Sequence, residues 1–294
     1  MQKREIFRKK HELWITAFYL AQGVESRRLY FVLESVAQTQ LKHLRWLADR
    51  IIADIREFDY PEYDGTQELP RSFNLDHAAR GFEPMNEHEV TDFVQVLLEE
   101  VLVLSEGFEG PLFERMISDD TYFTHRLEQS KTHLDRAARV LDALNPEKSR
   151  QMSDLDSAER LKLEAVLQNQ SAKEYATAMS FLYVQSHSER GDLIGVFGDL
   201  IDESLMHLKH YLRLLASLGR LAVPAPCRPE EYQVGDLEAF IQAAIREEEE
   251  EQQELLELKA QFDYEQFVRL VDFVVAQERY HIHLLEKLLT ESDR

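Results

Sequence analysis

Residues 270–288 read LVDFVVAQERYHIHLLEKL. Leu270, Val271 and Val274 open an apolar stripe at helical spacing, and Leu284, Leu285 and Leu288 continue it. Between the two apolar groups, in the same stripe, stand Glu278 and His281. Positions i and i+3 of a helix share a face, so this carboxylate and imidazole converge and point where the leucines point. An unpaired ionised carboxylate inside a helical core costs on the order of several kcal/mol. It therefore needs a metal, a cationic partner or a proton. A Glu-x-x-His alone also arises by chance, and a buried Glu–His hydrogen bond accounts for it equally well.

Other helical stretches shift that balance. Glu203, His207 and His210 lie at i, i+4 and i+7 on a stripe running from Leu200 to Leu214. The competing core face of the same stretch is Phe197, Ile201 and Leu208. Arg246 is followed by five glutamates, Glu247 to Glu251, which cannot all share one face. Ile241, Ala244 and Ile245 lead into this run, so one inward carboxylate is expected, Glu247 or Glu248. Glu174 precedes Ala178, Phe181 and Gln185 on a mostly apolar face, and inward and outward readings are balanced there.

Outward from these stretches, apolar residues recur at helical spacing along most of the chain. Helix is expected from about Glu5 to Phe58 with a break near Gly23. A turn-rich stretch follows, closed by an Asn86/Glu89 capping box. Helix then runs to about Leu144, broken near Gly107, Gly110 and Pro111 or at Asp119–Asp120, and Asn145–Pro146 ends it. The second half repeats the plan. Helix spans about Ser157 to Leu218 with a break at Gly191, and a connection with three prolines covers 219–235. Asp236 then caps a helix reaching about Leu289, with a turn near Phe262–Asp263. Two domains are expected, 1–148 and 149–294, each a helix pair, a long connection and a helix pair. A long second connection lets the third helix run parallel to the second.

The halves also share residues. Gln40-Leu41-Lys42-His43 matches His207-Leu208-Lys209-His210, and Glu99, Glu100 and His133 match Glu247, Glu248 and His281 at an offset of 148. An internal duplication is expected, with the halves paired about an approximate two-fold axis.

Composition narrows the function classes. With 44% hydrophobic residues, 10 glycines and 8 prolines, the chain favours helix over sandwich or barrel. A formal net charge of -21 disfavours nucleic acid and anionic membranes as partners. Its single cysteine, Cys227, excludes internal disulfides and cysteine-ligated clusters, and a cytoplasmic setting fits.

A Glu on the first helix, a Glu/His motif on the second, a Glu on the third and Glu-x-x-His on the fourth is the di-iron or di-manganese carboxylate pattern. The second half therefore resembles the ferritin-like superfamily, in particular rubrerythrin-like proteins. The resemblance implies ligand roles for Glu174, His210, Glu247 or Glu248, Glu278 and His281. In the family a bridging Glu precedes the second-helix His by three residues. Here that place is His207, and Glu203 one turn earlier is the substitute. Two iron or two manganese ions are implied, iron foremost, acting on peroxide or dioxygen or oxidising ferrous ion. Without a rubredoxin-like domain, electrons for a peroxidase come from another protein. The linked halves stand in for the dimer of single-bundle relatives, and further homo-oligomerisation stays open.

Two alternatives remain: a di-iron oxygenase acting on an organic substrate, and a metal-free helical scaffold. The first half reads as degenerate. Its motifs are Gln40-x-x-His43 and Ser130-x-x-His133, which leave Glu12, Glu99 or Glu100 and two imidazoles, enough at most for one weakly held ion. Tyr183, Tyr280, Trp14 and Trp46 are read as core fillers.

Overall fold

The structure, a computed structural model, describes residues 2–24, 26–55, 87–141, 157–188, 191–218, 220 and 227–292. Among them the protein is all-α, without a strand. The helices are α1 (Gln2–Gly23), α2 (Arg27–Ile55), α3 (Glu87–Ser105), α4 (Pro111–Leu141), α5 (Ser157–His187), α6 (Gly191–Ser217), α7 (Pro229–Tyr232), α8 (Leu237–Lys259) and α9 (Glu265–Ser292). No helix of the described residues is long and apolar enough to cross a membrane. The chain forms two compact units, Met1–Met152 with Ala216–Pro226, and Ser153–Leu215 with Cys227–Arg294.

In the first unit α1 packs on α2 and α3, and α4 packs on α2 and α3, so each of the four helices touches two others. Phe7, Leu13 and Trp14 of α1 are buried there with Leu33, Val36 and Leu47 of α2 and Val94 and Leu98 of α3. The α3–α4 break falls at the glycines. Gly107 and Gly110 have φ of 94° and 113°, a left-handed conformation that side chains with a Cβ rarely adopt. Asp119 and Asp120 lie well inside α4.

In the second unit α9 packs on α8. Phe262, buried in their turn, meets Phe267 edge-on at 5.3 Å and anchors the reversal. Asp236 caps α8 by accepting a hydrogen bond from the Ala239 amide at 2.8 Å. Asp236→Ala is expected to destabilise this unit by about 1 kcal/mol, read as a lowered unfolding midpoint.

The connection before Asp236 is not structureless. It contains α7, with Pro229 in its first turn, Glu231 accepting from the Arg228 amide, and Tyr232 buried. Proline at the start with Glu at the third position is a helix-start signal that a reading of the segment as pure connection misses. Two aromatic expectations change. Tyr280 is 47% exposed rather than core, and Trp46 is half-buried with the Lys42 ammonium 4.6 Å above its ring. Trp14 is in the core. Tyr183 is half-buried and stacks on His187. The Asn86 cap, the connection over 58–86, the stop at Asn145–Pro146 and the His133 side chain lie outside the described residues.

Candidate metal centre

Four helices of the second unit each bring charged or polar side chains to one buried spot. On α6 burial covers a wide arc: Phe197, Ile201 and Leu208 are buried, and so are Leu200, Ser204, His207 and Tyr211. Both candidate stripes therefore face protein. On α5, Leu163, Leu167, Tyr175, Ala178 and Phe181 are buried with Glu174 among them. The stripe Ile241, Ala244, Glu248 and Leu255 of α8 is buried, while Glu247 is exposed. Glu278 and His281 of α9 are buried as their spacing predicts.

These side chains form a continuous row. Nδ1 of His207 lies 3.0 Å from Oε1 of Glu174 and 3.1 Å from Oε1 of Glu278. The other Glu278 oxygen, Oε2, is 3.0 Å from Nδ1 of His281. Nε2 of His281 reaches Oε2 of Glu203 at 2.7 Å, and Oε1 of Glu248 stands 3.5 Å from its Nδ1. Two triads result, Glu174/His207/Glu278 and Glu248/Glu278/His281, each with donor atoms within 4.8 Å of one another. Glu278 belongs to both.

The charges within the row compensate one another. Burial pulls His207 toward neutrality, but Glu174 and Glu278 overcome it and raise its pKa to about 10. His281 is raised in the same way, against burial, by Glu278 and Glu203. The two carboxylates on His207 diverge. Burial raises Glu174, with the like charge of Glu278 adding to it, whereas hydrogen bonds from both imidazoles outweigh burial and lower Glu278. Glu278 has two cationic neighbours and Glu174 chiefly one, which accounts for the difference. Each imidazole is thus held toward its charged form by the carboxylates beside it.

Around this row buried polar atoms lack partners. Nε2 of His207, both amide atoms of Gln170, the Tyr211 hydroxyl, Oγ of Ser204 and Oε1 of Glu251 meet no hydrogen-bond partner. Folded proteins pair most such groups. Gln170, Tyr211 and Glu251 each lie one turn from a member of the row. Carboxylate oxygens with imidazole nitrogens are a donor set that could hold a metal ion.

Compared with known proteins, the chain matches no protein-family model, no curated protein and no solved structure.

Six of the sequence candidates meet in the row or at its end: Glu174, Glu203, His207, Glu248, Glu278 and His281. Glu203 is 24% exposed and reaches in from the rim. Glu247 faces out, because Glu248 continues the Ile241–Ala244 stripe. His210 is half-buried, its ring edge-on to Phe273 at 5.3 Å, and it joins neither donor triad, whereas His207 joins one. Counted from the first residues of their helices, Gly191 and Arg27, His207 and His43 occupy the same position.

Glu251 was missed by the sequence reading. Burial, aided by the charge of Glu174, lifts it to about 8. Its signal was present, since Ala244, Glu248, Glu251 and Leu255 recur at helical spacing.

The first unit solves the same problem with a side chain. Lys10, Gln40, His43 and Asp120 are all fully buried. The Lys10 ammonium lies 2.7 Å from Oδ2 of Asp120, 2.9 Å from Oε1 of Gln40 and 3.0 Å from Nδ1 of His43. Three acceptors meet three N–H bonds. Nε2 of Gln40 donates to Oδ1 of Asp120 at 2.6 Å. Burial and the Lys10 charge push His43 down to about 2, so its ring is neutral. Its Nδ1 accepts from Lys10, which leaves Nε2–H facing Oδ2 of Asp119 at 3.3 Å.

The donors expected for a weak site here are committed elsewhere. Glu12 and Glu100 both pair with Lys9, at 3.0 and 2.8 Å. Glu99 is exposed, and the Ser130 hydroxyl donates to the Arg126 carbonyl.

Proposed function

We propose that the second unit is a ferritin-like four-helix bundle holding a dinuclear centre of two iron or two manganese ions. Its activity would be redox chemistry with peroxide or dioxygen, or oxidation of ferrous ion. The observation that carries this reading is Glu278, one carboxylate shared by two buried donor triads. Glu174 and His207 would complete one ion's protein ligands, and Glu248 and His281 the other's. Glu203 stands at the rim beside His281 as a fourth carboxylate. Four carboxylates balance the four charges of two divalent ions, so the loaded site would be near neutral. Once bound, such ions supply a pair of redox-active metals to an oxygen species. Glu278 would be shared between the two ions, and the carboxylates hold the His207 and His281 rings in place by hydrogen bonds.

The first unit, with Lys10 in its polar centre, serves as the degenerate structural half of a tandem arrangement. Cys227 is buried and its thiol is pushed up to about 12 by burial and by Glu231. A peroxidase reading takes its electrons from a separate donor protein.

Anaerobic titration with ferrous iron or Mn²⁺ tests the proposal. Two ions per chain are expected, with protons released on loading, because His207 and His281 must give theirs up to become ligands. The sign follows from the raised pKa of His207. Release is full well below about 10 and fades as pH rises through that value. A protein that takes up neither ion would instead be a metal-free helical scaffold.

A further inference from the structure

The cavity beside Glu248 opens between α5 and α8, close to α7. Its lining contains four carboxylates, Glu231, Glu247, Glu248 and Glu251, and no Lys, Arg or His. Phe181 and Phe240 form an apolar wall. Glu231 and Glu247 are exposed, while Glu248 is only 6% exposed, so the carboxylates run from solvent to the donor triad. At the inner end the polar capacity is unspent. Oε1 of Glu251 is buried and meets no partner, and the 3.5 Å contact of Glu248 with His281 is long for a hydrogen bond.

We infer that this cavity admits hydrated divalent cations to the metal centre, with Glu231 and Glu247 as an outer capture point and Glu251 as the relay to Glu248. The inference rests on the dinuclear reading and adds the route and the class of ligand. A cleft lined by one sign of charge with low-dielectric walls concentrates counter-ions and raises capture rates by about 10- to 1,000-fold, an effect that salt weakens. The small volume suits an ion with its water shell. The same lining repels anions.

The test measures the rate of Mn²⁺ uptake by the full chain, followed as loss of the free-ion electron paramagnetic resonance signal after rapid mixing. Glu231→Gln with Glu247→Gln is expected to slow uptake on the order of tenfold at low ionic strength, and less at higher salt, with the final stoichiometry unchanged. Gln at 231 preserves the capping box of α7, so the fold is not at stake. The control is Glu249→Gln with Glu250→Gln, two exposed residues of the same helix outside the cavity lining. It removes equal charge and should leave the rate within about twofold. Equal slowing in both pairs, or none in the first, overturns the route while the centre stands. No Mn²⁺ uptake by the unaltered protein overturns both.

Discussion

Glu278→Gln is expected to cost the protein both metal ions, whereas removal of any other single ligand costs one. Glu278 faces His207 with Oε1 at 3.1 Å and His281 with Oε2 at 3.0 Å, and it alone belongs to both triads. A neutral amide of the same shape keeps one oxygen, and an amide nitrogen cannot bridge to a cation. The count per chain should fall from about two to about zero. Glu174→Ala leaves Glu248, Glu278 and His281 together, and Glu248→Ala leaves Glu174, His207 and Glu278, so each should retain one ion. His210→Ala and Glu247→Ala should retain both, since neither side chain joins the row. Metal content after anaerobic loading and desalting decides this, with helicity checked by circular dichroism. A Glu278→Gln protein that still carries two ions would remove the bridging role and the main support for a dinuclear centre.

What could be read from the sequence depended on how sharply each helix separates its faces. α9 alternates apolar and charged residues cleanly, so Glu278 and His281 were placed correctly from spacing alone. On α8 the Ile241–Ala244 stripe pointed to one of two adjacent glutamates, and only the structure separates Glu248 from Glu247. α5 and α6 are buried over wide arcs, so periodicity was a poor guide there. It left Glu174 undecided and did not separate His207, which joins a donor triad, from His210, which does not. The two breaks considered between Leu98 and Phe123 were both chemically reasonable. Gly107 and Gly110 prevailed because α4 absorbs Asp119 and Asp120 as side-chain partners of His43 and Lys10. Lys10 itself was invisible. Lysine is almost never fully buried without a partner, and its partners lie 30, 33 and 110 residues away in the chain.

That lysine carries the second large expected effect. Lys10→Met keeps much of the side chain's length and apolar stem but removes the ammonium. Asp120 is then left fully buried with Gln40 as its remaining donor, and Nδ1 of His43 loses its hydrogen-bond donor. Breaking a buried pair from one side costs about 3–5 kcal/mol, most of it from the uncompensated charge left behind. The loss should appear as a large drop in the unfolding midpoint of the first unit, measured by denaturant titration. Adding Asp120→Leu to Lys10→Met removes the stranded charge and should recover a substantial part of the loss, as matched apolar replacement of buried pairs does elsewhere. Metal stoichiometry should be the same in all three proteins, because none of these residues belongs to the second unit. A Lys10→Met protein within about 1 kcal/mol of the unaltered chain would mean that the ammonium merely fills space among Gln40, His43 and Asp120. A gain of a third metal ion in any of them would mean that Lys10 had been holding a competent metal site closed, and that the first unit is less degenerate than its missing carboxylates imply.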